Sequence, residues 1–493
     1  MTPTYRGRVT QSTKPAALFV YGAFKQDGGG LGRMWYQRLT ALHDAGWDIH
    51  IGLIDYRRYR TRALLRILGG KFPSDVTVHT YWHLQMSRAQ SVRAFARATT
   101  KFIARKLLLK KIARDVTSPL HEGVNTRNYF DRLGRLTSSE TFDSQTHSVN
   151  QRTWFDTDGS EIVRKWFTPD MNETFIQRPS DLERHETVSA RATWLSELPL
   201  PDGTIVFADS PYTYSVVAQL PQRWGKIFVL HLNHLKRKHS ALGELTSKME
   251  RDFNPFVRFA DAIVTATADQ AEDLEKRYGD TFHFESIRPV IDFKMPSHKI
   301  ARNRHRIVMV CRLVDVKRVH HLLSAMPLIM AVVPDAQLDI WGTGDDEARL
   351  KALALDAGLT DSVKFCGYTT EPEKVFRQAG VSVLTSQREA YGLAVTESLL
   401  QGCPVVSYNI KYGPSEVITD GLNGILIEDG KIGQLADAII SILTNPELQD
   451  SMSHEAQKVH ELVDREHFQQ EWVALAEQIS GVARSRVVAT TAP

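Results

Sequence analysis

The chain has 493 residues, of which 42% are apolar and 24% charged, too many for one hydrophobic core and suited to two or three domains. Three cysteines, Cys311, Cys366 and Cys403, are few, odd in number and set in apolar runs, which argues against a disulfide or zinc framework and leads us to expect a reducing, cytoplasmic setting. The net charge of +4 hides a block between Tyr56 and Arg114 with fifteen Lys/Arg against the single acid Asp75, so the rest of the chain is net acidic.

From the N-terminus, MTPTYRGRVTQSTKP lacks the apolar core of a secretion signal, and no run approaches the roughly 18 apolar residues of a membrane span. Any membrane contact is therefore expected to be peripheral, at the inner face. PAALFVYGAF is the first predicted strand, and Gly28, Gly29 and Gly30 follow it before a helix. They lack the spaced Gly-x-Gly-x-x-Gly dinucleotide pattern, which leaves close backbone approach to a ligand or a flexible turn. WDIHIGLID is a second strand, and the basic block 57–114 comes next. Within it Arg93, Arg97, Lys101 and Arg105 recur at i,i+4 while Phe95, Phe102, Ile103 and Leu107 lean elsewhere, the pattern of a basic amphipathic helix. Such a face either meets water or docks an anionic surface, acidic lipid or a polyanionic substrate. Nucleic acid is not expected, because no recognisable module or aromatic interleaving accompanies the charges.

The text changes between Asn128 and about Arg178. NYFDRLGRL and TWFDTDGSEIV repeat an aromatic-Phe-Asp-x-x-Gly element, and RKWFTPDMNETFIQR follows, which reads as an antiparallel meander inserted at about 125–180. Asp156-Thr157-Asp158 resembles a metal-binding DxD, yet Asp158-Gly159 sits where a hairpin needs positive φ, so a turn is predicted. GTIVFADS, KIFVLHLNH and ADAIVTATAD are strands separated by helical patterns, and residues 295–305 are polar and linker-like. RIVMVCRL, AQLDIWG, VKFCGY, VSVLTS and CPVVSYN then repeat the alternation, which predicts parallel sheets covered on both faces. Ligands of such sheets lie beyond the carboxyl ends of the strands.

SQREAYGLAVTESLLQGCPVVS, residues 386–407, carries the chemistry. A loop holds Glu389, Gly392 leads into the helix LAVTESLLQ with Glu397 inside it, and Gly402 stops it. Eight helical residues span about 12 Å, too far for the two carboxyls of a glycosidase and suited to the ends of one elongated ligand. Between the acids, the helix N-terminus offers N–H groups and a positive dipole end to phosphate. A ligand with hydroxyls at both ends and phosphate between them is a nucleotide sugar. Arg312 at a strand's carboxyl end and Lys317 five residues on are the cations for a diphosphate, whereas Gly342 and Gly344 fit a turn as readily as a binding loop.

From Arg306 to about Met452 the chain resembles the donor-binding half of GT-B glycosyltransferases of the retaining family 4, through CRLVDVK, IWGTGDDEARL, VKFCGY, the Glu-x7-Glu segment and GPSEVITDGLNGILIEDG. The Phe-Asp hairpins, HLNHLK and YNIKYGPSE narrow the likeness to the branch of poly(glycerol- or ribitol-phosphate) teichoic acid glycosyltransferases and serine-rich adhesin glycosyltransferases. The resemblance implies an α/β protein with two doubly wound Rossmann-like domains facing a crevice. An acceptor-side domain would span 1–295 with the meander inserted, a donor domain 305–465, and a final helix 466–493, with Phe468 and Trp472, would pack back on the first. It further implies a UDP-sugar donor, retention of configuration and no metal or other cofactor. Arg312 and Lys317 would hold the diphosphate and Glu397 the ribose, with Gly342, Gly344 and Tyr368 in the same motifs. Glu389 would hold the transferred sugar with the backbone of Ala390, Tyr391, Gly392 and Leu393. Gly29 and Gly30 would face the acceptor region, and His231 would line the reaction centre, unless it is a satisfied structural histidine; His234 ranks below it. Two family features differ here: IRPVID replaces an asparagine-glycine turn before the linker, and EAYG stands for EGFG. The expected reaction is transfer of glucose or N-acetylglucosamine to an anionic polyol-phosphate wall polymer, with the basic block as its docking surface. The alternative is modification of serine-rich adhesins, or a noncatalytic partner subunit of such an enzyme, with the basic face or the meander as an interface that also admits a homo-oligomer.

Overall fold

The computed structural model describes residues 14–21, 29–54, 73, 75–80, 126–130, 136–142, 149–155, 161–167, 173–177, 185–236, 242–291 and 302–491. The amphipathic basic helix, Gly28, Asp156–Asp158 and most of the 295–305 linker lie outside the described residues.

The chain forms two compact units, Met1–Phe228 with Phe256–Asp261 and Leu475–Pro493, and Val229–Pro255 with Ala262–Ala474. In chain order the strands open with β1 (Ala16–Tyr21), β2 (Asp48–Leu53) and β3 (Thr77–Thr80), and α1 (Gly29–Asp44) joins the first two. Six antiparallel strands follow: β4 (Thr126–Phe130), β5 (Leu136–Phe142), β6 (Val149–Phe155), β7 (Glu161–Phe167), β8 (Glu173–Gln177) and β9 (His185–Glu186), paired in sequence order. This is the expected meander, and it is more regular than the two Phe-Asp elements imply. The register slips at Phe130, Phe142, Phe155 and Phe167, so each of the first four strands ends on a phenylalanine beside an irregularity that increases local twist before the turn.

After α2 (Thr187–Ser196) come β10 (Ile205–Ala208), α3 (Pro211–Ala218), β11 (Gly225–Val229), α4 (Ser247–Asp252), β12 (Ala262–Thr265), α5 (Ala268–Tyr278) and β13 (Phe284–Ser286). The first sheet runs β13-β12-β11-β10-β1-β2-β3. Its β1 is buried on both faces, as a continuous apolar run in a helix-covered parallel sheet must be.

The second sheet holds β14 (Asn303–Val310), β15 (Gln337–Trp341), β16 (Val363–Gly367), β17 (Ala379–Leu384), β18 (Val405–Tyr408) and β19 (Gly424–Ile427) in the order β16-β15-β14-β17-β18-β19, with every pair parallel. Its helices are α6 (Val319–Val332), α7 (Glu347–Asp356), α8 (Pro372–Gln378), α9 (Leu393–Leu400), α10 (Pro414–Val417), α11 (Ile432–Leu443) and α12 (Pro446–Gln457), and α13 (Arg465–Thr491) ends the described chain. Ile307, Met309, Leu322, Met326, Ile340 and Ile439, all essentially inaccessible, form the centre of this unit's core. Strand order reverses at β14, because the chain leaves it toward β15 and returns to its other side as β17. Loops that follow neighbouring strands on opposite courses leave a crevice at their carboxyl ends, and the loops after β14 and β17 carry Arg312, Lys317 and Glu389.

Candidate active site

Arg312 follows β14 by two residues and its side chain is exposed. The loop bearing it is held from beneath: a Cβ on Gly342 would stand 1.7 Å from the Cys311 carbonyl oxygen, and one on Gly344 2.0 Å from that of Leu313. Both glycines are therefore required by the approach of the β15 loop to the β14 loop, which accounts for glycine there whether or not a ligand also meets this backbone. Burial pushes the Cys311 thiol up to about 12, so this cysteine is an inert wall of the site and no nucleophile.

Lys317 closes a 3-10 turn, Asp315–Lys317, and its ammonium pairs with the Glu389 carboxylate. Ser386 Oγ donates to the same carboxylate oxygen at 2.6 Å. The structure thus brings together Lys317 and Glu389, 72 positions apart, and shows Glu389 as a counter-ion where the sequence reading gave it only to sugar. Next to it, Arg318 adopts left-handed φ of 47° and reaches the carbonyls of Thr385 and Ser386 and the carboxylate of Asp429, which fastens the start of the Glu389 loop. Sequence reasoning missed this residue; adjacent arginine and lysine look alike as text.

Gly392 caps α9 with φ of 84°, a left-handed value that explains glycine there, and no side chain caps the helix. Val395 N–H closes onto Gly392 O at 2.8 Å, so any further partner of the first turn's N–H groups comes from outside the helix rather than from a capping side chain. Val395, Leu399 and Leu400 anchor the helix in the core, each contributing about 1.5–3 kcal/mol of apolar burial. Glu397 lies on α9 and is only 7% exposed, while Tyr391 is buried and Ala390 and Leu393 are half-buried. Tyr368, just past β16, is 56% exposed on the rim. Gly29 and Gly30 open α1 in the other unit.

His231 stands two residues past β11, half-buried. His234 is inaccessible: its ring stacks on Tyr412 at 5.7 Å and faces Gln270, and burial lowers it to about 4. It is a structural histidine, neutral at physiological pH. Beneath it, buried Asp273 accepts from Lys411 at 2.5 Å and from the Tyr412 hydroxyl at 2.7 Å. Burial alone would raise this carboxyl, and those two donors outweigh it and hold it below its usual range. A Cβ on Gly413 would stand 1.9 Å from the Tyr391 carbonyl oxygen, and Tyr412 N–H donates to Glu389 O at 3.0 Å, so the 409–413 loop lies directly against the Glu389 loop.

Residues 290–459 match the family model described as glycosyl transferases group 1. That segment is similar to group 1 glycosyltransferase domains. It contains all the donor-side residues above, and the whole chain has the GT-B fold, two parallel-sheet Rossmann-like domains with a small antiparallel sheet. The Staphylococcus aureus TarM mutant crystallised with Fondaparinux, alpha-GlcNAc-glycerol and UDP superposes with a TM-score of 0.74 at 18% identity, covering 94% of this chain and 99% of that one. The pneumococcal O-GlcNAc transferase GtfA in complex with UDP and GlcNAc gives 0.74 at 16% identity, covering 95% and 99%. In sequence, the chain is similar to the poly(glycerol-phosphate) alpha-glucosyltransferase of Bacillus subtilis, 28% identical over 387 residues, 74% of this chain and 51% of that relative. The chain spans about half the length of that relative.

Proposed function

We propose that this protein is a retaining, metal-independent glycosyltransferase that moves glucose or N-acetylglucosamine from a UDP-sugar to a polyol-phosphate polymer of the wall teichoic acid type. The observation that carries the proposal is the Lys317–Glu389 ion pair in loops at the sheet's reversal point, with the loop of Glu389 leading into α9, whose N-terminus no side chain caps. Glu397 accepts from the ribose hydroxyls, the α9 N–H groups and the two cations take the diphosphate, and Glu389 takes the hexose.

Breaking the sugar–phosphate bond develops negative charge on the departing diphosphate and positive charge at the anomeric carbon. Fixed cations and backbone donors aimed at the diphosphate stabilise that distribution without reorganising. Lys317 divides its interactions between the phosphates and Glu389, whose carboxylate faces the developing cation. His231 serves the acceptor, and the basic block 57–114 docks the anionic polymer or the acidic face of a membrane. Among the described residues no helix is long and apolar enough to cross a membrane.

The likeness to GtfA favours one competing reading, transfer of N-acetylglucosamine to a serine-rich protein, with or without a partner subunit. The two are separated by turnover of UDP-glucose and UDP-N-acetylglucosamine with polyglycerol phosphate, polyribitol phosphate and a serine-rich peptide. Transfer to a polyol phosphate is the expected result. Transfer to the peptide alone would overturn the polymer reading, and silence with every pair would overturn the enzyme reading.

A further inference from the structure

Asn233 spends its whole side chain on the backbone of this unit. Its Oδ1 accepts from Leu235 N–H at 2.8 Å, which fixes the amide so that Nδ2 points the other way. Nδ2 donates to two main-chain carbonyls, Glu389 O at 3.0 Å and Lys411 O at 2.8 Å. One amide group thereby ties together the loop after β11, the loop that presents Glu389 and the loop before α10.

The surroundings are built to keep it there. Gln270 Nε2 donates to Leu232 O at 2.9 Å, His234 stacks on Tyr412, and Lys411 is held at Asp273, so the residues on each side of Asn233 and of its acceptor Lys411 are fixed independently of it. The Glu389 carbonyl, in contrast, is reached by just two donors among the described contacts, Asn233 Nδ2 and Tyr412 N–H. Without the Asn233 donor the Glu389 carbonyl keeps only the Tyr412 N–H among the described contacts, and rotation of that peptide would turn the carboxylate away from Lys317.

We propose that Asn233 is a positioning residue that orients Glu389, and through it the hexose of a bound nucleotide sugar, without touching the nucleotide. The proposal rests on the donor-site reading given above. It predicts a split between the two parts of the ligand: the nucleotide, gripped by Arg312, Lys317, Glu397 and α9, loses no affinity when Asn233 is removed, whereas the sugar does.

The test measures UDP, UDP-glucose and UDP-N-acetylglucosamine affinity by calorimetry on the full chain, with melting temperature in parallel. Two variants are used. Asn233→Asp keeps the acceptor for Leu235 N–H but sets a carboxylate oxygen against two carbonyl oxygens, and Asn233→Ala removes the tie without adding repulsion. The expected result is UDP affinity no weaker than wild type and up to severalfold tighter, because a Glu389 carboxylate turned away releases Lys317, with the additional affinity contributed by the hexose falling roughly tenfold, the scale of one or two lost hydrogen bonds, and more in the Asp variant. Retention of the full hexose contribution in both variants would overturn the proposal, as would equal weakening of UDP and UDP-hexose together with a lowered melting temperature, the mark of a merely structural tie. Wild-type protein that fails to bind UDP would instead overturn the donor-site reading, and this proposal with it.

Discussion

Glu389 and Glu397 are the same residue type on the same segment, yet their surroundings give them different work. Glu397 is buried on α9, and its replacement by alanine is expected to weaken UDP at least tenfold, measured by titration calorimetry, because a charged hydrogen-bond acceptor for the ribose is worth about 1.5–3 kcal/mol. On the proposed donor reading Glu389 competes with the diphosphate for Lys317, so Glu389→Gln has the opposite expected effect on UDP alone: affinity rises severalfold, while UDP-hexose gains nothing and turnover falls. Weaker UDP binding to that variant would show that Lys317 does not exchange partners. The spacing of the two acids is visible in the text of the chain. The Lys317–Glu389 pairing is not, because it joins loops that only the sheet's strand order brings side by side.

At the scale of elements, the alternation of apolar runs with helical patterns is enough to read both parallel sheets, since a strand buried on two faces has no choice but to be continuously apolar. The meander was equally legible from its turn signals, although its repeat at every strand end shows only in the register. Loop-to-loop support was illegible, because it depends on backbone carbonyls that carry no residue signature: Gly342 against Cys311, Gly344 against Leu313, Gly413 against Tyr391, and Asn233 against Glu389 and Lys411. Glycines in such places look like ordinary turns. Gly413, at φ of 100° and with no room for a Cβ, is the sharpest case. Gly413→Ala is expected to cost several kcal/mol and displace the Glu389 loop, read as a lower urea midpoint together with lost hexose affinity. An unchanged midpoint would mean that the loop relaxes freely and that its packing does not shape the site.

For the molecule as a whole, the response to acid follows from its buried imidazoles. His234 and His321 are both held neutral by burial, down to about 4, the latter beside the Tyr408 hydroxyl at 2.8 Å. The unfolded chain takes up those protons near 6.5, so between about 6.5 and 4 it binds more protons than the native state and stability falls as pH falls. Asp273, depressed by its donors, adds a loss in the same direction at lower pH. Urea midpoints measured from pH 7.5 to 4.5 are expected to decline steadily below about 6.5, and His234→Phe to flatten part of that decline. A constant midpoint over the range would mean that these rings are wetter than their packing indicates.

Synthesis meets the unit that contains Gly203 and Gly225 long before its last segment. Ser480 Oγ bonds to Gly203 O across 277 residues of sequence, Arg486 pairs with Asp261, and Ile479 fills the space above Gly225. Until residues 475–486 have left the ribosome, the seat for Ile479 stays open and Asp261 lacks this arginine, so that half of the molecule must wait, incomplete, while the other half emerges.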